Sequence, residues 1–159
     1  MPASEGVEIE RKFLLTALPD AVRPGAGDAI EQGYLAIGSD GVEVRVRRRA
    51  GESTLTVKSG PGVRRVEEEL PLDDRRFGSL WALSEGRRVS KTRHLVPLDG
   101  GLTAEVDVYA DALAGLLTAE VEFASEEASR AFTPPPWFGA EVTGDPRYAN
   151  QSLALHGAP

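Results

Sequence analysis

The chain has 159 residues, of which 18 are basic and 25 are acidic, so its formal net charge is −7. This length is sufficient for one domain with its own hydrophobic core, and the acidic balance argues against general nucleic-acid binding, which needs a basic surface. The absence of cysteine excludes disulfides, thiolate catalysis and zinc–thiolate sites.

Eight short segments alternate apolar and polar residues with a period of two, which is typical of β-strands. In chain order the predicted strands cover residues 7–15, 29–37, 42–49, 53–59, 63–71, 89–98, 102–109 and 118–124. Tight turns rich in glycine join several of them, which favours antiparallel neighbours.

Helices are predicted at three places between or after these strands. Asp73 is a suitable N-cap for a helix over 74–84, and Ser125 for a second helix that must end before three consecutive prolines at 134–136. A third helix is predicted over 147–155. Residues 111–117 are expected to form one or two helical turns.

The polar faces of the predicted strands carry an unusual density of charges of both signs. In the third strand, for example, Glu43, Arg45 and Arg47 alternate with valines. Because the amphipathic helices need apolar sheet faces to cover, we predict a mainly β, α+β fold. It is an eight-stranded antiparallel closed β-barrel with helices packed outside and charges lining the lumen. A solvated sheet face with cross-strand ion pairs is the alternative.

A lumen lined by both signs suits a highly charged anion bridged by metal. Lysine and arginine neutralise phosphate oxygens, and carboxylates hold hard ions such as Mg²⁺ or Mn²⁺. The spacing makes a triphosphate site chemically sensible without identifying one.

The segment Glu8-x-Glu10-x-Lys12 resembles the opening signature of the CYTH domain, the triphosphate tunnel metalloenzyme family. Further elements follow in that family's order: 32–35, Glu43-x-Arg45-x-Arg47, 56–59, Glu67-x-Glu69, 91–93, Glu105-x-Asp107 and 120–122. The tail at 137–150 is similar to that of short bacterial members. The resemblance implies an eight-stranded tunnel, divalent-metal dependence, and hydrolysis or transfer at a triphosphate.

Roles for individual residues follow from this resemblance. The metal ligands are expected to be Glu8, Glu10, Glu120 and Glu122, with Asp107 a weaker choice that competes with simple pairing to a cation. The expected substrate-binding residues are Lys12, Arg45, Arg47, Lys58, Arg65, Lys91, Arg93 and Tyr34, although a core tyrosine is equally expected at position 34. Lys58 or Lys91 could act as general base, and a metal-activated water is the alternative.

The expected function is metal-dependent hydrolysis of inorganic tripolyphosphate to diphosphate and phosphate. Alternatives are a triphosphatase acting on thiamine triphosphate or a nucleoside triphosphate, a class IV-type adenylate cyclase, and a non-catalytic polyphosphate-binding module. A helix near 145–155 either closes one end of the tunnel or covers a sheet face.

No signal-peptide pattern or apolar run of roughly 20 residues occurs, so we expect a cytoplasmic protein without a membrane segment. We also expect one domain over residues 1–159, no nucleic-acid partner, and leave a homodimer open.

Overall fold

The computed structural model describes residues 9–59 and 66–159. Its strands are β1 (Ile9–Leu14), β2 (Asp28–Ile37), β3 (Glu43–Arg49), β4 (Glu52–Lys58), β5 (Glu67–Leu72), β6 (Arg88–Pro97), β7 (Thr103–Tyr109) and β8 (Leu117–Phe123). Its helices are α1 (Asp74–Ala82), α2 (Glu126–Ala131) and α3 (Asn150–His156). The eight predicted strands are thus confirmed, while the parts predicted at 7–8 and 63–65 lie outside the described residues.

The strands form a single antiparallel sheet in the order β1-β8-β7-β6-β2-β3-β4-β5. Its register brings predicted lumen residues of neighbouring strands side by side. Lys12 lies opposite Glu120 between β1 and β8, and Arg93 lies opposite Asp107 between β6 and β7. Because side chains alternate along a strand, the charged residues share one face of the sheet.

The predicted closure of the barrel is not confirmed, because no ladder joins β1 to β5 within the described ranges. The outer edge of β1 pairs instead with residues 139–143. Leu14 N donates to Ala140 O, and Val142 N donates to Lys12 O, both at 2.8 Å. These bonds occupy backbone groups that a neighbouring β5 would need.

One hydrophobic core lies on the outer face of β1, β8, β7 and β6. Its buried members are Leu15, Val96, Ala104, Val106, Ala119, Val121 and Phe123. Phe132, Trp137 and Phe138 follow or end α2 and pack against this core. The helix is N-capped by Ser125, as predicted, whose hydroxyl accepts from Ala128 N at 3.0 Å. The apolar face of this half of the sheet is therefore outside and covered.

Helix α1 covers the outer side of β3 and β4. Asp73 caps it as predicted, accepting from Arg76 N at 2.7 Å. Phe77 is buried, and the guanidinium of Arg48 lies 4.1 Å from the centre of its ring. No helix within the described residues is long and apolar enough to cross a membrane.

A second core forms where α3 packs against the sheet face that carries the charged residues. Its buried members are Tyr34, Val89, Tyr109, Leu113, Leu153 and Ala154. The helix predicted over 147–155 is divided, since Ala149 has extended backbone angles (φ −65°, ψ 142°) between a 3₁₀ turn at Pro146–Tyr148 and α3. At 111–117 the structure has one 3₁₀ turn, Asp111–Leu113.

Candidate active site

The charged face of the sheet curls around a cavity of about 720 Å³. Six of the predicted substrate-binding residues line it: Lys12, Arg45, Arg47, Lys58, Lys91 and Arg93. They come from four strands, β1, β3, β4 and β6, so the fold gathers residues that are far apart in sequence. Arg65 and the metal ligand Glu8 lie outside the described residues, and their roles stay predictions.

Strands β6 and β7 supply what we call the paired wall, consisting of Lys91, Arg93 and Asp107. The carboxylate of Asp107 accepts from Arg93 Nε at 2.8 Å and from Arg93 Nη2 at 2.9 Å. Lys91 Nζ lies 2.8 Å from Asp107 Oδ2. Asp107 is only 1% exposed, so this carboxylate is neutralised by its partners rather than by water.

The charged groups of the paired wall shift the pKa values of their neighbours. Burial raises the pKa of Asp107, but the hydrogen bonds from Arg93 and the charge of Lys91 outweigh burial and hold that pKa below its usual value. Burial also lowers the pKa of Lys91, and the nearby carboxylate of Asp107 only partly offsets this effect.

Strands β3 and β4 supply the open wall, consisting of Arg45, Arg47 and Lys58. Among the described residues, the Nε atoms of both arginines are buried and have no hydrogen-bond partner. Burial lowers the pKa of Arg47, and the like charges of Arg45, Arg49 and Arg93 lower it further. Arg45 and Lys58 line the cavity with only distant acidic partners, Glu43 at 4.0 Å and Glu67 at 3.8 Å, so this wall is suited to receive an anion.

Two further lysines line the cavity, and their acidic partners are more distant than the acidic partner of Lys91. Lys58 Nζ lies 3.8 Å from Glu67 Oε2, in a pair that is 27% and 50% exposed, respectively. Lys12 Nζ lies 3.4 Å from Glu120 Oε1 and donates to Tyr148 O at 2.6 Å. Neither lysine is as deeply buried as Lys91.

Carboxylates form a row along one side of the cavity. The glutamates that line it are Glu10, Glu105, Glu120 and Glu122. Glu10 lies directly opposite Glu122, and Glu105 opposite Glu120. In the described ranges, no group of three or more acidic or histidine side chains is arranged to hold a metal ion. The oxygen donors nevertheless fit Mg²⁺ or Mn²⁺, since Mg²⁺ is usually held by one or two carboxylates together with substrate phosphates.

Two predicted site residues lie behind the cavity lining. Tyr34 is 1% exposed, and its hydroxyl accepts from Gln32 Nε2 at 2.6 Å. Burial raises the pKa of this phenol. Tyr34 is therefore buried and supports Gln32, which agrees with the core alternative expected for this position, while its contact with substrate stays a prediction. Asp107 likewise pairs with cations, the alternative to metal ligation.

Several residues that line the cavity have no role in the predictions made from the sequence. Gln32 belongs to a recognised segment and has the lumen parity of its strand, so the alternation could have found it. The C-terminal residues 142–150 show no such pattern, yet several of them line the cavity. Asn150 Oδ1 lies 3.4 Å from both Lys91 Nζ and the Tyr109 hydroxyl.

Comparison with known proteins gives close relatives, although no family model matches the chain. The chain is 47% identical over 148 residues to an inorganic triphosphatase of Nitrosomonas europaea. The aligned region covers 93% of this chain and 97% of that protein. It is 38% identical over 151 residues to an inorganic triphosphatase of Acetivibrio thermocellus, which covers 93% of each. The crystal structure of the inorganic triphosphatase NE1496 matches with a TM-score of 0.82 at 44% identity, over 97% of this chain and 98% of that one.

Proposed function

This chain belongs to the inorganic triphosphatases of the CYTH, triphosphate tunnel family, and we propose that it hydrolyses inorganic tripolyphosphate to diphosphate and phosphate. The observation that carries the proposal is the open wall. Arg45, Arg47 and Lys58 line the cavity, and the ion pairs of Arg45 with Glu43 and of Lys58 with Glu67 are long, at 4.0 and 3.8 Å, whereas Asp107 pairs closely with Lys91 and Arg93. A polyphosphate chain would supply closer acceptors, because arginine binds phosphate oxygens through two parallel N–H groups.

Charge neutralisation is the main task in this chemistry, since the transition state spreads negative charge over the phosphoryl oxygens. We propose that Lys12, Arg45 and Arg47 hold the substrate together with Lys58, Lys91 and Arg93, and that Arg65 joins them. Their positions on several strands around one cavity support contact with more than one phosphate group.

A divalent cation is part of the proposal. Glu10, Glu120 and Glu122 would hold it, with Glu8 as a further ligand in the segment that the structure does not describe. When bound there, Mg²⁺ or Mn²⁺ would neutralise charge on the substrate oxygens. The glutamate row and the cationic walls face the same cavity, which supports binding of metal and polyphosphate side by side.

Lys91 and Lys58 remain the two side chains proposed to accept a proton from the attacking water. Burial lowers the pKa of Lys91, although Asp107 opposes this effect, and a lowered pKa favours a lysine as base near neutral pH. Lys58 is more exposed and pairs loosely with Glu67. These differences support Lys91, with activation of the water by the cation as the alternative.

The lining of the cavity supports an inorganic substrate. Tyr148 is the one aromatic residue among its described lining. Recognition of a nucleobase or of the thiamine rings commonly uses aromatic stacking. We therefore propose tripolyphosphate in preference to thiamine triphosphate or a nucleoside triphosphate.

The test is phosphate release from tripolyphosphate, ATP and thiamine triphosphate, each with Mg²⁺, Mn²⁺ or EDTA. We expect rapid, metal-dependent release from tripolyphosphate and little from the other two. Release from ATP alone would replace the substrate assignment. An intact fold that binds tripolyphosphate without hydrolysing it would leave a binding module.

A pair of matched variants ties this activity to the cavity. Arg47→Met removes a lining cation, whereas Arg49→Met makes the same change two residues along the same face of β3. Arg49 lies outside the described lining and pairs with Asp28 at 3.2 Å. Equal losses in both variants would contradict the proposed site.

A further inference from the structure

Asp107 has a different environment from the glutamates that line the cavity. Its side chain is 2% exposed, whereas those of Glu105 and Glu120 are 41% and 24% exposed. Asp107 is not part of the described cavity lining, which includes both of its partners, Lys91 and Arg93. A substrate in the cavity would therefore contact the two cations, while the carboxylate contacts the cations and not the substrate.

Both oxygens of this carboxylate are already engaged. Oδ1 accepts from Arg93 Nε, and Oδ2 accepts from Arg93 Nη2 and pairs with Lys91 Nζ. These contacts use most of the lone-pair directions of a carboxylate. A metal ion at Asp107 would displace at least one of them and would stand next to two positive charges.

The same contacts fix the directions of the two cations. Arg93 also pairs through Nη1 with Glu105 Oε2 at 2.9 Å, so each of its three nitrogens has one acidic partner. A guanidinium has five N–H groups, which leaves two on Arg93 for a substrate. Lys91 has three N–H groups, and its contacts with Asp107 and Asn150 leave one.

We propose that Asp107 is a positioning residue for phosphoryl transfer, which orients Lys91 and Arg93 toward the polyphosphate without contacting substrate or metal itself. The inference rests on the proposed function for the identity of the anion. It goes beyond that function by assigning to β7 a buried residue that acts through two others. It also replaces metal ligation as the role of Asp107.

Equilibrium binding of tripolyphosphate in EDTA, measured by calorimetry, separates the two roles without requiring turnover. Asp107→Asn removes one negative charge close to the anion. If Asp107 serves only as a metal ligand, the variant binds tripolyphosphate as tightly as the wild type or more tightly. If it positions the cations, we expect binding to weaken by roughly 10-fold, as is typical for loss of a supporting partner.

Kinetics of the intact enzyme provide the second readout. We expect Asp107→Asn to lower kcat/KM by about 10- to 100-fold, while the metal concentration for half-maximal activity stays at the wild-type value. Glu122→Gln serves as the comparison, because loss of a proposed ligand raises that concentration. A rise in Asp107→Asn that matches Glu122→Gln would overturn the proposal.

A double-mutant cycle tests whether Asp107 acts through Arg93. Loss of binding in EDTA for Asp107→Asn combined with Arg93→Met should be smaller than the product of the two single losses. Independent, multiplicative losses contradict the inference. If Asp107→Asn does not fold, Asp107→Glu keeps the charge and displaces the carboxylate. Weaker binding in EDTA then supports positioning, and unchanged binding opposes it.

These arms distinguish the inference from the proposed function. A wild-type protein that binds but does not hydrolyse tripolyphosphate refutes the function, and the EDTA measurement still decides the role of Asp107. Hydrolysis by the wild type with unweakened binding by Asp107→Asn refutes the inference alone.

Discussion

Both walls of the cavity carry lysine and arginine side chains, but the two walls differ in how closely these cations are paired with carboxylates. On the paired wall, Asp107 pairs with Lys91 and Arg93, and Glu105 also pairs with Arg93, before any substrate arrives. On the open wall, buried Nε atoms of Arg45 and Arg47 have no acceptor among the described residues. The cations of the paired wall thus have close acidic partners within the fold. The cations of the open wall lack such close partners, and a bound anion can supply them.

Helices cover the outer faces behind both walls. The outer faces of β6, β7 and β8 form the aromatic-covered core with α2, and α1 covers the outer side of β3 and β4, while β5, beyond the open wall, is exposed along most of its length. A preorganised wall can hold charge in fixed positions during reaction. An open wall gains its acidic partners when the anion enters, so the two walls differ in how far their cations are paired before the anion binds.

The largest expected difference is in the free energy of unfolding of Arg93→Met and Arg47→Met. Loss of Arg93 leaves Asp107 buried with one fewer cation, which costs about 3–5 kcal/mol. Loss of Arg47 removes a half-buried charge that Arg45, Arg49 and Arg93 repel, so stability should stay the same or increase. Urea unfolding at pH 7 measures both. Similar destabilisation in the two variants would show that the walls are equivalent.

The Arg47→Met variant should lose turnover although its stability stays the same or increases. Removing one donor that neutralises a transition state typically lowers kcat by about 10²–10³-fold, or roughly 3–4 kcal/mol. Phosphate release from tripolyphosphate, normalised to folded protein, measures this loss. A stable Arg47→Met enzyme with full activity would remove the open wall from the mechanism.

The anion itself should stabilise the wild-type protein. With EDTA present to prevent turnover, tripolyphosphate at 100 times its Kd adds about 2.7 kcal/mol, which corresponds to roughly 5–11 °C in Tm for a chain of this size. The shift should fall with added salt and be smaller for Arg47→Met. Arg49→Met, with its side chain outside the described lining, should respond like the wild type.

The sequence predicts the walls well but not their states. Alternation is a local pattern, so the lumen faces of Glu43, Arg45 and Arg47 follow from the strand itself. The state of Asp107 depends on the register that brings it opposite Arg93, and register between strands is a tertiary property. Alternation therefore predicts that Asp107 faces the lumen. It does not distinguish a metal ligand from a residue that pairs with Lys91 and Arg93.

The edge of β1 is the second place where local reasoning is insufficient. A closed barrel needs β5 at this edge, and no period-two pattern at 139–143 indicates a competing partner. The structure provides one through Arg11, which binds Glu141 at 2.6 Å and also donates to Ser129 O at 2.9 Å. These long-range contacts bring residues 142–150 to the cavity, whereas the sequence predicts only that a helix near 145–155 either closes one end of the tunnel or covers a sheet face.

The smallest expected effect concerns this attachment and its dependence on pH. The hydrogen bond from Arg11, together with its charge and a bond from Thr143, lowers the pKa of Glu141 to about 2 from 4.5. Since the folded pKa is the lower one, the pair stabilises the fold above about pH 4.5, and this stability is lost as the pH falls toward 2. Solvent screening limits the effect, because Glu141 is 38% exposed.

We therefore expect Glu141→Gln to be less stable than the wild type by about 0.2–1 kcal/mol at pH 7. That difference should disappear as the pH approaches 2, because the wild-type carboxyl is then protonated as well. Urea unfolding of both proteins across this range isolates Glu141, since the acid-sensitive pair at Asp107 is common to both. A difference that persists at low pH would show that Glu141 stabilises the attachment by something other than its charge, because the carbonyl contacts of Arg11 are common to both proteins.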